Sequence, residues 1–305
     1  MKKRKQHYVW KHYLEAWTVD GQLFCLRDKN IFPTNLINIA QKRDFYRLNE
    51  LTENDIALIK LLWIDTSPPL LRPLHMDLLN GFNLAFEIKK LYEASGKIDL
   101  ELEKQLDVTM NNLEENFHCG IEGLAIPYLE NVRSGDIAFY ADEGNRIEFN
   151  YFLATQYLRT NHIKEHIKTA FSDMPRKYAQ FGLNIERVWN VVSHILATNM
   201  GYVLSREDSN MQLILLYNNT KIPFITSDQP IVNIRADHLS FDAPTEFELY
   251  YPHTPNLALI LSEQGKSSYS GNLTKNEIMK LNNQIVASSQ EQVYANERNV
   301  LEQYL

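Results

Sequence analysis

Ser209-Asn210-Met211-Gln212-Leu213-Ile214-Leu215-Leu216-Tyr217-Asn218-Asn219, residues 209–219, is where this chain changes character. Before it, apolar residues recur at helical spacing. From Met211 they form a short β-favouring run that an Asn-Asn turn signal closes. Phe224–Thr226, Phe247–Tyr251 and Leu257–Ser262 repeat the pattern, punctuated by Pro and Thr-Pro. Together these read as strands of an antiparallel or mixed sheet. Working back towards the start, helices are expected over about 52–63, 70–94, 100–117, 147–171 and 185–204, with a last one over about 273–289. The first of them opens on Thr52 with acidic residues in its first turn, and Thr66-Ser67-Pro68-Pro69 stops it. Gln22–Arg27, after the turn signal Val19-Asp20-Gly21, reads as a strand that joins the C-terminal sheet. The expected fold is α+β, one domain over residues 1–305, with a large helical part at roughly 50–206 and a sheet part at roughly 1–48 plus 209–305.

Gln6-His7-Tyr8-Val9-Trp10-Lys11-His12-Tyr13-Leu14-Glu15-Ala16-Trp17 has a ring density unusual near a terminus. It predicts an ordered, packed segment with Tyr8, Tyr13 and Trp17 inside. The 44% hydrophobic and 23% charged residues are those of an ordinary globular chain. A net charge of -7 argues against binding nucleic acid over the whole surface, yet leaves room for a local basic cleft of Lys2, Lys3, Arg4, Lys5 and Lys11. Cys25 and Cys119 lack CxxC or Cys/His spacing, which fits a reducing compartment. No apolar run has membrane-spanning length, so a cytoplasmic protein with no membrane partner is expected.

Three constellations could carry chemistry. In a continuous helix from Ile147, residues 149, 152, 153, 156, 160, 163, 167, 170 and 171 make one apolar stripe, with Arg159 and His166 at its edge. A guanidinium there needs an anion, either a substrate phosphate or a buried carboxylate, with Asp228 the first choice. Pro223-Phe224-Ile225-Thr226-Ser227-Asp228-Gln229-Pro230 delivers Ser227 and Asp228 to a strand end, where binding residues are often held. The same residues could equally cap a turn. His253 sits on the link Pro252-His253-Thr254-Pro255, and His7, Asp228 and His253 could converge on a transition metal. No GxSxG, GxxxxGK[ST], GxGxxG or HExxH occurs.

Arg159-Thr160-Asn161-His162-Ile163-Lys164-Glu165-His166 resembles the Arg-x(4–6)-His motif of HEPN ribonucleases, which implies an arginine and a histidine serving phosphodiester cleavage. Gln6-His7-Tyr8-Val9 with Tyr13-Leu14, Asp44-Phe45-Tyr46, Gln156-Tyr157-Leu158-Arg159-Thr160, Thr226-Ser227-Asp228-Gln229-Pro230 and Leu281-Asn282-Asn283 span more of the chain. Together they resemble the bacterial family of unknown function number 4238. They occur in the family's order across nearly the whole chain, although Trp10 stands where the family commonly has proline. The resemblance implies a bacterial protein and directs attention to His7, Arg159 and Asp228.

The functional expectation is a cytoplasmic enzyme acting on a phosphate-containing substrate, nucleic acid or nucleotide, as a hydrolase or a nuclease-type toxin or defence effector. Arg159 would bind phosphate, His7 or His166 would be general acid or base, and Asp228 would orient the histidine or hold a metal. Tyr8, Lys11, Gln156, Ser227 and His253 are the candidate substrate-binding residues. No motif names a cofactor, and a divalent metal ion is compatible with the carboxylate and histidines. The alternative is a non-catalytic sensor or binding module in which His7, Arg159 and Asp228 form a buried structural network. An enzyme should show these residues lining an open cleft; a structural network should bury and satisfy them.

Overall fold

The computed structural model describes residues 1–172, 182–236 and 244–305. The described helices are α1 (Lys11–Glu15), α2 (Glu53–Ile59), α3 (Arg72–Ala94), α4 (Leu100–Arg133), α5 (Glu143–Leu158), α6 (Asn161–Ser172), α7 (Ile185–Ser205), α8 (Lys275–Ser288) and α9 (Arg298–Glu302). The strands are β1 (Lys5–His7), β2 (Leu23–Arg27), β3 (Asn30–Thr34), β4 (Gln41–Arg43), β5 (Met211–Tyr217), β6 (Thr226–Ser227), β7 (Val232–Asn233), β8 (Glu248–Thr254), β9 (Leu257–Glu263), β10 (Gly271–Asn272) and β11 (Val293–Ala295). The fold is α+β: helices fill the middle of the chain and strands come from both ends.

The described strands form three sheets rather than one. A mixed sheet runs β10-β5-β9-β8-β7, with β10 parallel to β5; a four-stranded sheet runs β3-β2-β11-β6; and β1 pairs with β4. The N-terminal strand does join C-terminal strands, since β2 lies antiparallel to β11 with Cys25 opposite Tyr294. It meets a different sheet from the one built on β5. Local sequence explains the helix starts. Thr52 and Thr274 each head a capping box, in which the Asp55 and Glu277 carboxylates accept the cap residue's own N–H.

Three expected helices differ from the structure, the first because α2 ends at Ile59 and the chain continues to Ile64 as a π-helix. α4 continues 16 residues past Phe117, through Pro127 to Arg133. Proline removes a single backbone donor, while burial of Ile121, Ala125, Leu129 and Val132 against the sheets favours continuation. The helix expected over 147–171 is two helices, α5 and α6, with Arg159 and Thr160 between them. Thr160 Oγ1 accepts the Ile163 N–H at 3.5 Å and so restarts the chain as a cap. The spacing that put Arg159 and His166 on one helix face therefore does not apply.

α4 links two apolar cores. Leu106 and Met110 pack with α2, α3 and α7, whereas Ile121 to Val132 pack with the sheets and the aromatic N-terminal segment. Tyr8, Tyr13 and Trp17 are buried in the second core, as their density predicted. Between the two cores, α4 buries Asn111, Asn112, Glu114, His118 and Glu122. α7 crosses α5 closely at Gly201, where a Cβ would sit 2.7 Å from the Cα of Tyr151. Such an approach needs glycine. No helix among the described residues is long and apolar enough to cross a membrane.

Candidate functional site: a buried polar seam between two cores

Arg159 sits where α5 ends, 4% exposed. Its Nη1 donates to Glu122 of α4, its Nε to the Tyr46 hydroxyl at 2.8 Å, and its Nη2 to the main-chain oxygen of His7 at 2.8 Å. The guanidinium also lies 5.4 Å from the Tyr46 ring centre. The carboxylate beside Arg159 is thus Glu122, not Asp228. A planar fork explains why arginine stands here: three partners lie in three directions around one cation.

Asp228 serves another segment. Its carboxylate accepts the N–H groups of Gln290, Glu291 and Gln292 at 2.9, 2.8 and 3.1 Å, which fixes the approach to β11. Burial pushes its pKa up to about 6, against the pull of those three bonds. Ser227 closes its own turn, accepting the Gln229 N–H at 3.1 Å. His7 is half-buried; its Nε2 lies 3.1 Å from the Leu36 oxygen, and burial lowers its pKa. The His7, Arg159 and Asp228 side chains do not join one another, because each already has partners of its own. Only the main chain of His7 meets Arg159.

The remaining candidates are dispersed. Tyr8 is buried and takes a 3.4 Å hydrogen bond from Gln292. Lys11 is exposed. Gln156 is buried, its Oε1 3.5 Å from Arg159 Nη1. His166 is on α6, its ring 6.0 Å from that of His162. Lys2 pairs with Asp107 and Arg4 with Asp44, so those cations hold down the N-terminal segment. His253, a residue of β8 rather than of a loop, is 1% exposed, and its ring lies 6.2 Å from that of Tyr251. His7, Asp228 and His253 thus have three different sets of neighbours and make no common metal site.

Burial first, and then Arg133, push the His253 pKa down to about 4 from its usual 6.5. The folded chain keeps this ring neutral while the unfolded chain protonates it, so stability is full above pH 6.5 and declines as pH falls towards 4. The expected loss from this residue is about 3 kcal/mol, because each tenfold drop in proton affinity on folding is worth about 1.4 kcal/mol. Urea midpoints at pH 7.5 and 4.5 should differ less for His253→Gln than for the wild type; equal differences would contradict this assignment.

Residues quoted in the sequence only as family-like positions, with no role given to them, complete the seam. Gln229 accepts the Thr160 hydroxyl and donates to the Ile231 oxygen at 2.7 Å. Gln6 accepts the Tyr46 N–H and donates to the Asn111 oxygen, both at 2.7 Å. Asn282 accepts the Ile225 N–H at 3.1 Å and donates to the Pro223 oxygen at 3.0 Å. The scattered motifs interlock: His7 with Arg159, Tyr46 with Gln6 and Arg159, Thr160 with Gln229, and Asn282 with the strand leading to Asp228.

One turn of α4 from Glu122, and one more, lie His118 and Glu114, facing Asn190 and His194 of α7. Nε2 of His118 and of His194 lie 3.6 and 3.3 Å from Glu114 Oε1, and Asn190 donates to Glu114 Oε2. The three residues are a metal-compatible group found among the described residues. Burial and the charge of Arg159 hold His118 well below its usual pKa, so its ring is neutral. A cavity of about 30 Å³ adjoins this group; Tyr46, Arg47, Glu114, Arg159, Lys164 and Asn190 are among its walls. The signal in the sequence was Glu114-x3-His118-x3-Glu122, which needs the helix to continue beyond Phe117 before it becomes one face.

The family of proteins of unknown function DUF4238 matches residues 5–299. No curated protein and no solved structure matches the chain. With nearly its whole length covered, and with the family-like segments bonded to one another in the fold, this chain belongs to DUF4238.

Proposed function

We propose that the protein is an enzyme of the bacterial cytoplasm that hydrolyses a phosphate-containing substrate, nucleic acid or nucleotide, at the cavity beside Arg159. The observation behind this is the convergence of Arg47, Lys164 and Arg159 around one polar cavity whose wall also includes Glu114. Arg47 and Lys164 are held at 2.9 and 3.0 Å by Asp107 and Glu186, whose side chains are 45% and 51% exposed. Ion pairs that open are weak, so an incoming phosphate can displace them. Arg159 differs: its fork is fully engaged, and it serves as the fixed positive wall rather than as a mobile clamp. At about 30 Å³ the cavity admits one end of a ligand, in keeping with recognition of a terminal phosphate.

The test compares wild type, Arg47→Ala and Lys164→Ala on RNA, DNA and nucleoside phosphates, with folding checked by thermal melting. Hydrolysis that falls at least about tenfold in folded variants supports the reading, at the scale of one lost charge-assisted contact. No hydrolysis by wild type, or unchanged rates in both variants, overturns it. The second reading, a non-catalytic sensor or binding module, draws on the burial of Arg159 and Asp228 and on their complete sets of protein partners. Under it, the same proteins bind a phosphate ligand without turning it over, or bind none. A role as a nuclease-type toxin or defence effector would follow from the first reading through growth arrest on expression.

A further inference from the structure

We propose that Glu114, His118 and His194 bind one divalent transition-metal ion of the Zn²⁺ type in the seam between α4 and α7. This goes beyond the phosphate reading and does not depend on it. Each residue offers one ligand atom, and those atoms all lie within 4.8 Å of one another. Two of the separations, 3.3 and 3.6 Å from Glu114 Oε1, match what a tetrahedral ion requires. With zinc–ligand distances of about 2.0–2.1 Å, tetrahedral neighbours stand about 3.4 Å apart.

The second observation concerns hydrogen bonds. All three side chains are at most 3% exposed; Nδ1 of His118 has no hydrogen-bond partner among the described residues, and Nε2 of His118 and of His194 make no aligned hydrogen bond, both only facing the same Glu114 oxygen. A buried polar atom without a partner has lost its water and gained nothing in return, so such nitrogens rarely stand idle. An ion coordinated by both Nε2 atoms would use two of them. The supports around the ligands suit a metal as well. Asn190 holds the other oxygen of Glu114. The rings of Tyr46 and Phe117 lie 4.7 Å from His118 and 4.8 Å from His194, which fixes both imidazoles in a dry wall. Glu114, though neither histidine, also lines the adjoining cavity, which gives an ion an entry path on the carboxylate side. Two imidazoles and one carboxylate suit a borderline transition ion better than Mg²⁺ or Ca²⁺, which favour all-oxygen shells.

The experiment is a metal titration of the full chain after chelator treatment, read by bound metal per chain, melting temperature and the visible spectrum with Co²⁺ in place of Zn²⁺. We expect one equivalent of Zn²⁺, a raised melting temperature, and the intense spectrum of four-coordinate Co²⁺ that Zn²⁺ abolishes by competition. His118→Gln and His194→Gln should each weaken binding by more than the 10–100-fold that losing an outer partner costs. His12→Gln, at a surface ring 40% exposed, should not. Because the wild-type titration decides the matter even if a seam variant fails to fold, three results overturn the proposal. These are no bound transition metal, a weak six-coordinate Co²⁺ spectrum, or equal affinity in folded His118→Gln, His194→Gln and wild type.

Discussion

Arg159→Ala is expected to destabilise the chain by about 3–5 kcal/mol, because it leaves the Glu122 carboxylate buried without its cation. The side chain also closes three separate parts of the molecule, α4 through Glu122, the segment before α2 through Tyr46, and the N-terminal strand through His7. Arg159→Lys keeps a charge but not the fork, so it should recover only part of the loss. Removing both charges is different. Arg159→Met combined with Glu122→Leu replaces the pair by apolar groups of similar size and should return most of the stability. Urea unfolding at fixed pH measures all three. If Arg159→Ala costs less than about 1 kcal/mol, the scale of an exposed pair, the ion pair is not what holds the seam. Within the enzymatic reading, the double variant also separates two roles for Arg159: a folded, stable protein that has lost hydrolysis points to Arg159 as part of the active cavity, and one that keeps it assigns the residue to the scaffold.

Asp228→Ala should be nearly as damaging, about 3 kcal/mol or more, for another reason. Three main-chain N–H groups of residues 290–292 lose their acceptor together. Gln292 is buried, where an unmade bond costs about 1–3 kcal/mol, while Gln290 and Glu291 are exposed residues whose N–H groups water can partly satisfy. The rest of the loss comes from the carboxylate no longer tying the three together. Asp228→Asn retains one acceptor oxygen and should fall between the wild type and alanine. The effect should be localised as well as large. Amide exchange should quicken first in β11 and in its partners β2 and β6, since Asp228 fixes the turn that aligns them. Uniform exchange across the molecule would mean that this carboxylate does not govern that sheet.

How much of this was legible beforehand differs residue by residue. Thr52, the Pro68-Pro69 stop and the β-rich run at Met211 are local signals, and the structure follows them. The ring-rich opening was legible for the same reason, since Tyr8, Tyr13 and Trp17 have few places to go but inside. The split between α5 and α6 was not, because apolar periodicity carries on through Arg159 and Thr160 and only their distant partners turn the chain. Partner choice was hidden for a related reason. Arg159 needed a carboxylate on electrostatic grounds, but nothing local distinguishes Glu122, 37 positions away, from Asp228. The Glu114/His118/His194 group needs α4 at its full length and α7 packed against it, and no short motif encodes that.

The sheet that sets β2 beside β11 has a consequence for how the chain is made. Cys25 and its neighbours form a hairpin with β3 early in synthesis, but the strand that completes their other edge starts at Val293. At about 5–20 residues per second, a ribosome leaves that edge open for roughly 10–50 s. Such a row of unpaired N–H and C=O groups is a template for pairing with the wrong strand. The core that α2, α3, α7 and the first half of α4 share lies within residues 48–195, so those helices can form during the wait. Folding should therefore proceed in two stages, helices first and sheet closure last, with the nascent chain most vulnerable to aggregation, and most in need of a chaperone, just before residues 293–295 leave the tunnel.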